Sequence, residues 1–276
     1  MKTVIENRLI VALAQRGNVG KSTLAVCLAQ WLDHHAVMWR GHDLDTDHRS
    51  FSRLFPTEVQ AVPMGEEPTA DVVKVLRMAT NAPVVVVDPR AHMSALLRDA
   101  FELTRFPASF LEKGGRITVV LFPADDLEIM ADLDATISRF GDTVDYLVVR
   151  NLARAPHTRM LDGSELDAEL KRLRAGFIDL PPLLSIARNH LAAKESELSR
   201  GLTPVEAVAN KTLGFDPMIR VILEDWLRMV FRRFDAVASL LLPTAHSVRV
   251  GGAVDNKVPS GKIAARRGAK LNFQQL

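Results

Sequence analysis

Short, continuously apolar runs punctuate the chain, each long enough for one strand and most followed by a segment with apolar residues at helical spacing. Arg8 to Ala14 (RLIVALA) is the first, stopped by a glycine loop, and Lys21 to Leu32 (KSTLAVCLAQWL) follows it with a helical repeat. AVMW at 36–39 is a second strand candidate, ahead of the acidic run HDLDTD at 42–47. Thr69 to Ala79 reads as a helix, and Pro83-VVVVD-Pro89 as a buried strand ending in an acid. ITVVLF at 117–122, DYLVVRN at 145–151 and GFIDLP at 176–181 are further strands, with a helix from about Asp126 to Phe140 between the first two. Strands that are apolar throughout, instead of alternating, belong in a sheet covered on both faces. The alternation of strand and helix then predicts an α/β fold: a doubly wound, mostly parallel sheet with helices on both faces. Thr203-Pro204 has the form of a helix start, with Thr as cap and Pro at the first position. From Met218 to Leu242 the pattern predicts one long amphipathic helix with Arg220, Glu224, Arg228 and Arg232 four apart. Its apolar face is expected on the core and the charged stripe in solvent, a partner- or membrane-facing helix being the other reading.

Composition narrows the class. The 276 residues suit one large domain or two small ones, and 47% apolar with 25% charged residues is a globular balance. No apolar run approaches the roughly 20 residues of a membrane span, and the apolar run near the N-terminus reads as a strand, not a signal peptide. Cys27 is the only cysteine, which excludes an intramolecular disulfide and a cysteine-based zinc site. A cytoplasmic protein is the expectation. The net charge of +2 is unevenly spread. Residues 244–276 carry six basic residues against the single acid Asp255, a net +5, while the other 243 residues net −3. The organisation expected is a domain over 1–243 and a basic, flexible tail over 244–276.

AQRGNVGKSTLAV, residues 14–26, carries the chemistry. Small residues between a strand and a helix let successive backbone N–H groups turn toward an anion, and the helix dipole adds positive potential. Gly17, Asn18, Val19, Gly20, Lys21, Ser22 and Thr23 are therefore candidates for holding a nucleotide. Lys21 would reach the β- and γ-phosphates, and the Ser22 hydroxyl would take Mg2+. The strict phosphate-loop pattern Gly-x4-Gly-Lys-Ser is broken at its first position, where Gln15 stands.

RGNVGKST resembles the deviant loop Lys-Gly-Gly-x-Gly-Lys-Ser/Thr of the ParA/MinD family of ATPases. Gly17, Gly20, Lys21 and Ser22 match, Asn18 replaces the second glycine, and Arg16 replaces the family's extra lysine. That lysine reaches across an ATP-sandwich dimer, so the resemblance implies the same reach for Arg16, although Arg and Lys are not interchangeable at a tight site. The family also places an Asp-x-Asp after its second strand, the first acid positioning Mg2+ and the attacking water. HDLDTDHRS offers Asp43, Asp45 and Asp47; spacing from Lys21 prefers Asp43 and Asp45. Asp88 corresponds to the Walker B acid that holds Mg2+ through water. Asn151 falls where family members place an Asn against the adenine ring, a turn cap being the alternative, and Arg90 is either a γ-phosphate sensor or a solvent residue. NVGKSTL occurs in Era-like GTPases too, but Asn210-Lys211 and Asn256-Lys257 lack the Asp of a guanine-reading Asn-Lys-x-Asp segment.

The resemblance covers residues 8 to about 185 and implies a slow ATPase in which Mg-ATP drives a homodimer and hydrolysis releases it. DTDHRSFSRLF looks like the matching stretch of TraL-type conjugal transfer proteins, so plasmid maintenance or conjugal DNA transfer is the pathway implied, with a protein partner from such a system. The basic tail would add sequence-independent DNA affinity, or is a solubilising terminus. Two rivals stay open: a nucleotide-binding adaptor with little or no hydrolysis, kept alive by Arg16 and Asn18, and a small-molecule kinase or synthetase on the same fold. The scattered histidines have no metal-ligand spacing, Cys27 reads as core, and no Gly-x-Ser-x-Gly turn points to a serine hydrolase.

Overall fold

The computed structural model describes residues 6–243; the basic segment 244–276, and with it any contribution to DNA binding, lies outside the described residues. Seven strands form one sheet: β1 (Arg8–Leu13), β2 (Trp39–Asp43), β3 (Val59–Ala61), β4 (Val84–Asp88), β5 (Arg116–Leu121), β6 (Asp145–Asn151) and β7 (Gly176–Leu180). Their order is β3-β2-β4-β1-β5-β6-β7, and every pairing is parallel. Parallel neighbours need crossovers, and the helices supply them: α1 (Lys21–His34), α2 (Ser50–Leu54), α3 (Pro68–Arg77), α4 (Ser94–Leu103), α5 (Phe106–Glu112), α6 (Leu127–Phe140) and α7 (Glu165–Arg172). After β7 come α8 (Ser185–Leu198), α9 (Pro204–Ala209), a 3-10 turn at Lys211–Leu213, α10 (Pro217–Ala236) and α11 (Ala238–Leu241).

The period-two geometry of each central strand splits its side chains between two cores. Ile10, Ala12, Val84, Val86, Val120, Leu147 and Val149 face one side, where α1 and α10 contribute Trp31, Leu28, Leu227 and Phe234. Leu9, Val11, Leu13, Val85, Val87, Val119 and Val148 face the other, against α3, α4 and α6. This is the doubly wound α/β sheet expected from the continuously apolar strands.

Two elements differ from the sequence expectation. The second strand begins at Trp39 instead of ending there: Ala36 has a φ of 54° and Met38 is 74% exposed, so 36–38 form the turn out of α1. The strand proper holds Gly41, His42 and Asp43 inside the protein, and a side chain at Gly41 would collide with Phe51 and Val59. The long helix predicted over 218–242 stops at Ala236 and restarts after Val237 as α11. That break turns the carbonyls of Ser239 and Leu242 onto the buried Arg8 guanidinium, which also meets Thr118 and Asp145. The apolar face of α10, from Ile219 to Phe234, packs on the α1 side of the sheet. Thr203 caps α9 by accepting from Glu206 N–H, with Pro204 first in the helix. Among the described residues no helix is long and apolar enough to cross a membrane.

Candidate functional site

Strand order reverses around β4 and β1, and the crevice beyond their C-terminal ends is where open α/β sheets bind ligands. The loop of residues 14–20 emerges there from β1 and runs directly into α1. Its backbone accommodates two residues that stand where phosphate loops carry glycine. Asn18, in place of a glycine, has φ 59°, the left-handed region that Asn tolerates better than most side chains. Gln15, in place of the strict pattern's first glycine, is not among the positive-φ residues and so needs no glycine; its carbonyl accepts from His92 N–H at 3.0 Å, tying the loop to the segment after β4. Gly20 has φ 110°, where only glycine is unstrained.

The helix that follows leaves its positive end open. No side chain caps the first turn of α1 and no acid lies in it. Lys21 is buried, with its ammonium 3.3 Å from the Arg16 carbonyl. Burial lowers its pKa, and the nearby Asp88 and Asp45 carboxylates oppose that drop.

Asp43 and Asp88 are register partners at the ends of adjacent strands, each 1% exposed. Their surroundings differ sharply. Asp43 is saturated: one carboxylate oxygen accepts from Asp45 N–H at 3.0 Å and the other from Ser52 N–H and hydroxyl at 2.8 and 3.0 Å, holding the start of α2. Asp88 has no donor on either oxygen at full hydrogen-bonding geometry. Burial pushes its carboxyl up to about 7; the Ser22 hydroxyl and Lys21 pull it back, while Asp43 and Asp45 push it further up. A bare, buried carboxylate beside a serine hydroxyl is a hard oxygen set, which fits Mg2+, an ion that takes few protein ligands and completes its shell with water and phosphate. Asp45 is half-buried, and its Oδ1 accepts from the N–H groups of Asp47 and His48. Asp47 is exposed. His42 points to the opposite face of β2, where desolvation lowers its pKa to about 4 and keeps it neutral.

Three sequence candidates sit in unexpected company. Arg16 lies against its own chain, its Nε 3.1 Å from Asp126 and its Nη2 2.9 Å from Glu128. Asp126 is also the cap of α6, accepting from Glu128 and Ile129 N–H. Asn151 donates from Nδ2 to the Val19 carbonyl at 2.8 Å and accepts on Oδ1 from Ala153 N–H at 3.2 Å. It thus caps the turn after β6 and also touches the phosphate loop. Arg90 is exposed. Sequence reasoning missed Asp126, Glu128 and Ser52; the Asp-Leu-Glu start of α6 was visible as a helix cap, but nothing local ties it to Arg16. Cys27 is fully buried in the core, and burial pushes its thiol up to about 12.

The class that fold and site define is a doubly wound α/β protein with a phosphate-loop site at its switch point. No protein-family model and no curated protein matches the sequence. Solved structures with a similar backbone include the MinD cell division protein of Aquifex aeolicus, 16% identical over 80% of this chain and 95% of that one, with a TM-score of 0.41. The septum site-determining protein MinD of Pyrococcus horikoshii, complexed with Mg-ADP, is 12% identical over 85% and 97%, with a TM-score of 0.48. The signal recognition particle receptor FtsY of Elizabethkingia anophelis is 14% identical over 64% and 58%, with a TM-score of 0.42.

Proposed function

We propose that the protein is a nucleotide switch of the ParA/MinD type, binding Mg-ATP and forming a homodimer in the ATP state. One observation carries the reading: at the switch point, a bare buried carboxylate on Asp88 faces Ser22 and Lys21 at an uncapped helix N-terminus. In water such a carboxylate would be solvated; buried with only the Ser22 hydroxyl beside it, it is costly unless a cation or proton joins it. Ser22 and Asp88 would hold Mg2+, which when bound would neutralise phosphate charge. The amides of residues 17–23 would cradle the phosphates, with the Lys21 ammonium on the β- and γ-oxygens.

The two acids at and just after the end of β2 divide the work. Asp43 builds the turn after β2 and the start of α2, one oxygen accepting from Asp45 N–H and the other from Ser52. Asp45, half-buried and electrostatically coupled to Lys21 and Asp88, is the carboxylate proposed to orient water. Adenine is favoured because the chain lacks a guanine-reading Asn-Lys-x-Asp segment. Plasmid maintenance or conjugal transfer, with a protein partner from that system, is proposed on the resemblance of DTDHRSFSRLF alone. The adaptor reading also has an observation behind it, namely the engagement of Arg16 by Asp126 and Glu128 on its own chain.

Solution mass by light scattering tests this directly. It is measured without nucleotide, with Mg-ADP and with a non-hydrolysable ATP analogue, for wild type, Arg16→Ala and Lys21→Ala. A dimer only with the analogue, lost in both variants, is expected. An unchanged mass with nucleotide demonstrably bound would refute the switch and leave the adaptor or the small-molecule kinase reading.

A further inference from the structure

Asn151 ends β6 on the same edge of the sheet as the phosphate loop, with only β5 between its strand and β1. Its side chain is buried, 9% exposed, and both ends of its amide are committed. Nδ2 donates to the Val19 carbonyl, and Oδ1 accepts from Ala153 N–H. These opposite demands fix which end of the amide is nitrogen, because a carbonyl accepts only from a donor. Gly20 lies directly against that amide; a Cβ there would overlap Nδ2.

A trans peptide points its C=O and the following N–H in opposite directions. Pinning the Val19 carbonyl toward β6 therefore turns the Gly20 N–H away from β6. We infer that Asn151 is a positioning residue of the phosphate loop, its amide holding the Val19–Gly20 peptide so that Gly20 N–H is presented to a phosphate oxygen. The inference rests on the nucleotide-binding reading and changes one part of it. It gives Asn151 a role in phosphate affinity separate from any choice of base: one N–H of its amide is spent on the Val19 carbonyl and one lone pair of Oδ1 on Ala153 N–H. The device also spans the sheet: a side chain two strands away sets one peptide of the loop. An unpinned peptide at φ 110° has a glycine's freedom to rotate, and each rotated state removes one donor from the anion cradle.

The test uses the full chain and a ligand without a base. Binding of inorganic pyrophosphate, ATP and GTP, each with Mg2+, is measured by calorimetry for wild type, Asn151→Asp and Asn151→Ala. Asn151→Asp keeps the size and the bond to Ala153 but sets an oxygen against the Val19 carbonyl. All three affinities should fall together, by about three- to tenfold, as expected for loss of one hydrogen bond, with the ATP-to-GTP ratio unchanged. In 15N-labelled wild type, the Gly20 amide resonance should move on adding pyrophosphate, a readout that needs no variant to fold. Unchanged pyrophosphate affinity in both variants would overturn the inference. Loss of the ATP-to-GTP preference with pyrophosphate unaffected would instead make Asn151 a base reader. A wild type that binds neither pyrophosphate nor triphosphate would refute the nucleotide-binding reading itself, a result distinct from either.

Discussion

Arg16 offers the sharpest quantitative handle on the site. It is held at the start of α6 by Asp126 and Glu128, yet the switch reading needs it free to meet a nucleotide. The perturbation is Asp126→Asn combined with Glu128→Gln. Asn is as good a helix cap as Asp, so α6 keeps its start while both charges go. Arg16 is 51% exposed, Asp126 31% and Glu128 49%, so solvent screens both pairs. Pairs of this kind contribute about 0.2–1 kcal/mol each, which holds Arg16 in place by about 0.5–2 kcal/mol in total. If only the released state engages triphosphate, apparent affinity is reduced by the released fraction. Freeing Arg16 should then raise it about 2- to 30-fold, at roughly 1.4 kcal/mol per tenfold. Titration with a fluorescent ATP analogue at low ionic strength reads the gain, which should shrink at high salt. Removing two acids also makes the site more positive in general, so the double substitution is repeated in an Arg16→Ala background. An equal gain there, or no gain at all in the wild-type background, refutes the idea that Asp126 and Glu128 restrain Arg16.

Three other outcomes follow from buried groups. Asp88→Asn should stabilise the metal-free, nucleotide-free protein at pH 8 by ~1–4 kcal/mol in chemical denaturation, while abolishing Mg-dependent triphosphate binding. Because the folded pKa of Asp88 is raised from about 3.8 to about 7, its cost is absent below the unfolded pKa and grows as pH rises through that window; the variant's advantage should therefore vanish near pH 3.8. Asp145→Ala should lower stability by about 3 kcal/mol, since it leaves the buried Arg8 guanidinium without its carboxylate; an effect below 1 kcal/mol in urea unfolding would count against that role. Native Cys27 should resist alkylation at pH 8 and react at once in denaturant, because burial raises its pKa to about 12; rapid labelling of folded protein would contradict its placement in the core.

What could be read from the sequence was whatever the chain states locally. VVVVD, ITVVLF and DYLVVRN declare buried parallel strands through unbroken apolar runs, and GNVGKST declares its loop through spacing and context. The second strand was expected three residues early, at 36–39, because Gly41, His42 and Asp43 are buried polar or small residues, which periodicity counts as loop. Helix α8 escaped because it buries only Ala187 and so shows no apolar stripe. The site's wiring escaped for another reason. Arg16 meets acids more than 100 residues away, and Asn151 meets Val19 across 132 positions, contacts that exist only once the sheet has assembled. Spacing preferred Asp43 and Asp45 over Asp47 as the acidic pair, but only the fold shows Asp43 buried and bonded to Ser52 and Asp45 half-buried in the loop.

The anchorage of the last described turn has a spatial consequence. Arg8 opens β1, and the loop of residues 14–20 closes it, so the carbonyls of Ser239 and Leu242 are fastened at the far pole of the sheet from the phosphate site. A six-residue strand separates those poles by roughly 20 Å. The last described residues and the phosphate loop are thus tied to opposite ends of one strand, and β1 links the two.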